Sequence, residues 1–445
     1  MRDPAPDRAR CTWPPDRTMD VDVVVIGGGP AGSTAAALLS EAGRSVVLFE
    51  KEHFPRFHIG ESMLPFNLPL LHRLGVANRV RAESVEKYGA LMMSSDGAVE
   101  RYISFEEGLI PGHPMAFQVL RSRFDELLLR NAEGKGALVR EGFTVVEASC
   151  SAQEGCDVTV RGLDGALVRA RGRVLLDASG RDGFLSARLG LRRMMPHLRK
   201  ASVFAHYTGV PRSPGRRAGD LVLIVLRDGW IWMIPLAGGI TSVGLVAEGT
   251  AIKGSPLAAG DFLDESLRRC PAADARMRGA RRVSGIYTAS DYSYECAALT
   301  GDGWLLLGDA AGFIDPIFST GVWLAMSSGE LAATAVDRAL GRPDRTSDLP
   351  RRAFAGYERA VRHHLKTYTR IVTQFYQPGF MDVFLQPAGF LRTKEAVISL
   401  LAGLSAPPLS MRARLWVFYQ IVRLQRRVGI LPSIPLLGVL EEAQP

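Results

Sequence analysis

Cysteine is scarce in this 445-residue chain, with five residues (Cys11, Cys150, Cys156, Cys270 and Cys296) and no CxxC pair. An odd count without paired spacing argues against a disulfide scaffold or a structural zinc site. His363 and His364 are adjacent and form no metal-ligand spacing, so no metal is expected. Long apolar runs are also missing. The most apolar late stretch, 428–440, spans 13 residues and is broken by Pro432 and Pro435. It is too short to cross a bilayer. No signal-peptide core is visible. Residues 1–20 are polar and rich in proline, and they read as a disordered leader. The cytoplasm is therefore the default location. Recognised nucleic-acid motifs are absent, so no nucleic-acid partner is expected.

Charge of one sign is unevenly placed. The net charge is +8, and residues 351–430 hold thirteen Lys or Arg against three Asp or Glu. That segment reads either as a basic solvated face or as a docking surface for an acidic partner. Hydrophobic residues make up 47% of the chain, enough for a large core and two or three domains. The 46 glycines follow no collagen-like period, and many fall in turn or phosphate-loop contexts.

The clearest motif lies near the start. Residues 21–26, VDVVVI, form the β-branched run of a buried parallel strand. The sequence GGGPAG follows at 27–32 and satisfies G-x-G-x-x-G. Gly27 serves the tight turn, Gly29 the approach of backbone to pyrophosphate, and Gly32 the packing of helix on strand. An apolar helix over 33–41 offers free N–H groups to phosphate at its start. A second strand over 45–49 delivers Glu50, the acid expected on an adenosine ribose. Strand, loop, helix, strand and acid in this order mark a dinucleotide site. The pattern alone does not separate FAD from NAD.

Further along, 51–64 reads as a loop over the cofactor, and helices are predicted over 66–82 and 121–133. Strands are predicted at 145–148, 157–162 and 167–174, with 175–180 as a separate strand running into a turn. Between 201 and 300 the texture turns to β. Helical periodicity dominates after Val322, with breaks at Pro378, Pro387, Pro407 and Pro408. The predicted fold is α/β. It has a Rossmann-like nucleotide-binding domain (21–200 and 301–345, with a small β insertion), a β-rich substrate domain (201–300) and a helical C-terminal region (346–445) over the substrate pocket. An interrupted nucleotide fold of this kind suits a flavin enzyme.

Several segments together resemble the flavin-dependent halogenases, within the wider class of aromatic flavin hydroxylases. They are GGGPAGS at 27–33, FPRFHIGES at 54–62, KYGA at 87–90, DASGR at 177–181, WIWMIP at 230–235 and GDAAGFIDP at 308–316, continued by IFSTG at 317–321. The sharpest is WIWMIP, which is similar to the family's WxWxIP. Residues 21–330 carry the resemblance. It implies an FADH2- and O2-dependent halogenase, a chlorinase of secondary metabolism such as antibiotic biosynthesis. In that family a flavin C4a-hydroperoxide oxidises chloride or bromide to a hypohalous acid. This species travels to a lysine, here Lys87, and halogenates an aromatic ring.

The resemblance further implies Glu50, Arg121, Asp309 and Gly312 at the flavin, with Arg121 forking onto pyrophosphate and Asp309 on the ribityl hydroxyls. Thr320 and Gly321 form the halide turn. Trp230, Trp232 and Pro235 form a wall between flavin and substrate, with both indoles on one face of their strand. On residues alone, Lys87 would read as a solvated surface lysine. His58 and Glu61 belong to the cofactor loop, and Glu61 could orient it or stand near the tunnel. Tyr292 and Tyr294 are candidate pocket residues.

Phe318 stands where tryptophan halogenases carry a glutamate. That points to phenolic or pyrrolic substrates, which in that branch are often tethered to an acyl or peptidyl carrier protein. No second dinucleotide fingerprint is present, so reduced flavin should come from a separate NADH-dependent reductase. The rival readings are an aromatic monooxygenase, an isoprenoid reductase and a non-catalytic flavin-bound carrier-docking module.

Overall fold

The computed structural model describes residues 18–109, 114–290, 293–341, 348–386 and 390–441. Most of the expected leader, and Tyr292 and Pro387, lie outside the described residues. The β-branched run forms β1 (Met19–Ile26), buried at Val23–Ile26. It lies parallel between β2 (Val46–Glu50) and the strand Leu167–Asp177. Leu138–Glu141 extends the sheet beyond β2, and Trp304–Leu306 extends it on the other side. Strands buried on both faces need apolar residues throughout rather than alternation, as the stretches 23–26, 46–49 and 174–176 show.

The predicted strands 167–174 and 175–180 are one strand, Leu167–Asp177. Its first half pairs antiparallel with Gly155–Arg161 and its last residues pair parallel with Trp304–Leu306. No break is needed, because one edge serves two partners in turn. Cys150 faces Cys156 across the adjoining hairpin and is bonded to it. A local cross-link of this kind falls outside the expectation of no disulfide scaffold, which rested on count and spacing rather than register.

Between β1 and β2 runs α1 (Pro30–Glu41), buried from Pro30 to Leu39. Its small residues allow close packing on the helix Gly321–Leu340. A Cβ on Gly32 would lie 2.0 Å from the Gly27 carbonyl oxygen, and one on Gly27 would lie 2.4 Å from that of Ala178.

The second sheet holds Lys200–Thr208, Leu221–Val225, Trp230–Pro235 and Ile240–Glu248. Two strands from the expected nucleotide domain join it. Gly89–Ser94 pairs parallel with Leu221–Val225, and Glu100–Ser104 pairs with Gly89–Ser94. The boundary at 201 therefore does not separate the layers. The 201–300 segment is not wholly β either, since Ala259–Arg269 and Pro271–Met277 are helices. Phe262, Leu263 and Leu267 pack with Ile231 and Met233 on one face of this sheet. Trp230, Trp232 and Ile234 face the other way, toward Tyr368, Ile371, Phe375 and Phe380. This is the period-2 alternation of a strand.

Among the described residues, the C-terminal region holds four α-helices: Ala355–Phe375, Phe380–Phe384, Thr393–Leu401 and Leu409–Val428. Pro378 and the pair Pro407–Pro408 lie between them, where a proline cannot continue a helix. The hydroxyl of Tyr357 donates to the Leu306 carbonyl at 2.5 Å and ties this region to the first sheet.

The contact at Gly32 yields a direct test. Gly32→Ala is expected to lose roughly 2–3 kcal/mol of unfolding free energy through overpacking against Gly27. Denaturant titration of the two proteins measures it.

Candidate active site

A cavity of about 580 Å³ starts at the carboxyl end of the first sheet and runs toward the second. Glu50, Gly27, Gly29, Gly180, Arg181 and Asp309 line one end, and Leu221, Trp230, Trp232 and Ile234 line the other. Glu50 is buried. It accepts from the N–H of Gly28 at 2.7 Å and from that of Glu52 at 2.9 Å, and each carboxylate oxygen keeps a lone pair. A Cβ on Gly29 would meet nothing closer than the Arg56 guanidinium, at 3.6 Å, so the α1 N-terminus is open to a phosphate. Lys51 and Asp182 pair at 2.5 Å, and both line the cavity. Donors at a helix start, an acid at the end of β2 and an elongated cleft suit an adenine dinucleotide.

Arg121 lines the cavity, but its fork is already engaged. Its Nε and Nη2 donate to Asp125 at 2.7 and 2.8 Å, and its Nη1 donates to the Ile59 carbonyl at 2.5 Å. The expected bidentate grip on pyrophosphate is therefore corrected, because buried Asp125 takes both prongs. Asp309 is pushed up to about 6 by burial, with Arg121 and Arg181 pulling it down. Gly312 does not line the cleft; it pairs with Glu295 in a small sheet. His58 is lowered to about 4 by burial and by the Arg121 charge, so it is neutral at pH 7. Glu61 lines the cavity and bonds His206 Nε2 at 2.8 Å.

The indoles of Trp230 and Trp232 sit on one face, with ring centroids 5.6 Å apart. Gly244 lies opposite Trp232 in the register, and a Cβ there would be 2.3 Å from that ring. Pro235 is buried at the strand end, and Ile234 rather than Pro235 reaches the cavity.

The turn 316–321 borders the same space. Pro316, Ile317, Ser319 and Gly321 line it, with Ser319 at φ 57°. Thr320 is buried behind them. Gly321 opens the 20-residue helix Gly321–Leu340, and a Cβ on it would meet nothing within 4 Å. Phe318 points away from the cavity into the core, edge-on to Phe375 at 5.6 Å. Tyr294 is likewise outside the cavity, donating to the Asp309 carbonyl at 2.5 Å. Both candidates sit on segments that border the cleft, but their backbone directions turn the rings inward.

Lys87 is 2% exposed, not solvated. Its Nζ donates to Ser62 Oγ at 2.8 Å and to the Met63 carbonyl at 3.2 Å, and it lies 5.2 Å from the centre of the Phe105 ring. Lys87 does not line the cavity, but Ser62 does. The ammonium thus stands one hydrogen bond behind the wall. Burial lowers Lys87 to about 8, and the charge of Asp220 acts against that shift. Asp220 is itself held by the N–H groups of Tyr88 and Gly89, at 2.6 and 2.9 Å.

Sequence reasoning missed Ser62 as a lysine partner, although it ends a quoted motif. It also missed His206, Asp220, Asp315 and Tyr376. No local pattern marks Tyr376, whose hydroxyl accepts from Trp230 Nε1 and donates to Asp315 Oδ2, each at 2.9 Å. Burial pushes Asp315 up to about 6. Among the described residues, no group of three or more His, Cys, Asp or Glu could hold a metal ion. No helix of the described residues is long and apolar enough to cross a membrane.

A parallel sheet with a glycine loop at its carboxyl end, continued by a cavity under a second sheet, defines a Rossmann-like nucleotide-binding enzyme fold. A family model described as tryptophan halogenase matches residues 22–91 and 88–379. A 1H-pyrrole-2-carbonyl-(peptidyl-carrier protein) chlorinase of Pseudomonas fluorescens is 31% identical over 410 residues, 86% of this chain and 89% of that one. A tryptophan 2-halogenase of Chondromyces crocatus is 34% identical over 361 residues, covering 80% of this chain and 67% of its own length. The solved structure of the flavin-dependent brominase Bmp2 superposes with a TM-score of 0.81 at 28% identity, over 92% of this chain and all of that one. This chain belongs to the flavin-dependent halogenases, and FAD is the cofactor that family implies.

The buried amine has a consequence for stability. Between about pH 8 and 10.5 the unfolded chain keeps the Lys87 proton and the folded chain has lost it. Stability contributed by this group therefore rises with pH across that window, by an order of 3 kcal/mol. Subtracting the pH profile of Lys87→Met from that of the parent should reveal the rise. A flat difference would show that the amine is hydrated.

Proposed function

We propose that this halogenase uses FADH2 and O2 to chlorinate a phenolic or pyrrolic ring, with Lys87 as the reacting-side group. The observation that carries this reading is a buried lysine one hydrogen bond behind a cavity walled by two tryptophans. Bound FADH2, with O2, supplies the oxidising equivalent that converts halide to hypohalous acid. The α1 N-terminus and the glycine loop would hold the pyrophosphate, Glu50 the ribose and Asp309 the ribityl chain. The backbone N–H groups of Thr320 and Gly321 would receive the halide, where the start of a long helix favours an anion. Trp230 and Trp232 keep the organic ring from the flavin, which suppresses hydroxylation.

At pH 7 a Lys87 with a pKa near 8 is mostly ammonium. Two of its three protons go to Ser62 and Met63. Ser62 Oγ accepts from the ammonium and borders the cavity, so its own hydroxyl proton can be offered to the oxygen of the hypohalous acid, making its halogen more electrophilic.

The pyrrole-carrier relative and the nearly full-length coverage of both chains support the pyrrolic or phenolic branch. The core position of Phe318 removes that residue from the argument. A carrier-bound substrate also fits the last helix, Leu409–Val428, which has five arginines and no acidic residue. Trp416 is 57% exposed there, on one face with Arg412 and Arg423. An acidic carrier domain complements that face. The electrons come from a separate NADH-dependent flavin reductase.

The test combines the enzyme with such a reductase, NADH, FAD, O2 and chloride or bromide, and offers free and carrier-bound phenolic and pyrrolic acids. Product masses should show halogen. Lys87→Ala should lower halogenation about 100-fold or more while keeping FAD binding and flavin oxidation. Full halogenation by that variant would remove Lys87 from the mechanism. A product heavier by one oxygen and free of halogen would overturn the reading, and halogenated tryptophan would overturn the substrate class. Charge reversal at Arg412 and Arg423 should raise KM about tenfold for the carrier-bound acid alone. An equal effect on the free acid would exclude docking at that face.

A further inference from the structure

The tryptophan wall and the halide turn come from different parts of the chain, and nothing in either motif sets the distance between them. One hydroxyl does. Tyr376 follows the helix Ala355–Phe375 and reaches between the two. It accepts from the Trp230 indole N–H at 2.9 Å and donates to Asp315 Oδ2 at 2.9 Å. The other oxygen of Asp315 accepts from the Ile317 N–H at 3.0 Å, and the Asp315 N–H donates to Ser293 Oγ at 3.1 Å. Asp315 therefore sets the start of the turn that leads through Ser319 to Gly321.

The ring of Tyr376 is held independently of its hydroxyl. Phe375 packs edge-on at 5.1 Å, and the Lys200 ammonium lies 4.3 Å from the ring centre. Lys200 is fixed in turn by Glu248 and by the Asp228 carbonyl. A packed ring therefore carries a hydroxyl that bonds residues of two separate segments.

We propose that Tyr376 is a positioning residue that registers the tryptophan wall against the halide turn, and so sets halide capture and its coupling to flavin oxidation. The proposal rests on the halogenase reading above. It concerns only the oxidant-forming end of the cavity and makes no use of Lys87 or of the organic substrate.

Tyr376→Phe removes the hydroxyl and keeps the ring. It leaves the Trp230 N–H and the inner oxygen of Asp315 without their partner, so each group shifts to find another. The halide turn then loses its register with the wall. Hypohalous acid formed in the absence of organic substrate can be read with a small β-diketone trap, alongside hydrogen peroxide release and retention of FAD. The expected result is a KM for chloride raised about tenfold, with hydrogen peroxide replacing trapped chlorine and FAD affinity unchanged.

Trp230→Phe, which cuts the indole–hydroxyl bond and also trims one ring from the wall, should move the halide KM in the same direction. The double variant should be no worse than the poorer single one, as expected for two residues acting through one contact. A lowered Tm with unchanged halide KM and unchanged coupling in Tyr376→Phe would overturn the proposal. So would full additivity in the cycle. If Tyr376→Phe does not fold, the Trp230→Phe halide KM decides alone: an unchanged value sinks the idea. Failure of the parent enzyme to deliver chlorine to the trap would instead sink the halogenase chemistry itself, so the two failures are distinguishable.

Discussion

A cation kept out of water is the constraint that organises this molecule. Lys87 sits at 2% exposure, and desolvating an ammonium is costly unless polar groups replace its hydration. Those replacements come from separate stretches of chain. Ser62 and Met63 lie on the loop after β2, Phe105 follows the strand Glu100–Ser104, and Asp220 precedes Leu221–Val225. The nucleotide-binding layer and the second sheet must therefore meet at this point. Placing Gly89–Ser94 in the second sheet, directly after Lys87, is what brings them together.

The second organising feature is alternation along Trp230–Pro235. One face of that strand packs on Phe262 and Leu263, and the other presents two indoles to the cavity and the C-terminal helices. A bulky wall is useful only if its position relative to the flavin end is fixed. Packing alone allows small shifts of large rings, whereas buried hydrogen bonds with defined directions resist them. Trp230 bonds Tyr376 and Trp232 bonds Ser242 at 3.2 Å, so both indoles are pinned by their N–H groups. The helical region thus acts on the cavity wall through Tyr376, although none of its described residues lines the cavity.

The family and the nucleotide fold were legible because their signals are local. VDVVVI, the glycine loop and Glu50 lie within thirty consecutive residues and act through their own backbone geometry. WIWMIP carries its alternation in one strand, and the helix breaks follow prolines. The errors fell where direction decides. Arg121 is in the cleft, but Asp125, one helical turn away, takes its fork. Phe318 and Tyr294 border the cleft in sequence yet point into packed interior. Strand pairing is likewise non-local, since Ala90 pairs with Leu221 in the second sheet from the other side of the expected boundary.

The sequence by itself determined the dinucleotide loop, the tryptophan strand, the placement of a lysine beside the motif segments and membership in the family. These depend on residues near in the chain, whose physics is set by spacing. Tertiary structure alone decided that Lys87 is dry, that Ser62 joins it to the cavity, and that Tyr376 ties Trp230 to Asp315 across separations of 146 and 61 residues. Burial and hydrogen-bond direction are properties of what surrounds a side chain. Those surroundings exist only after distant segments have packed.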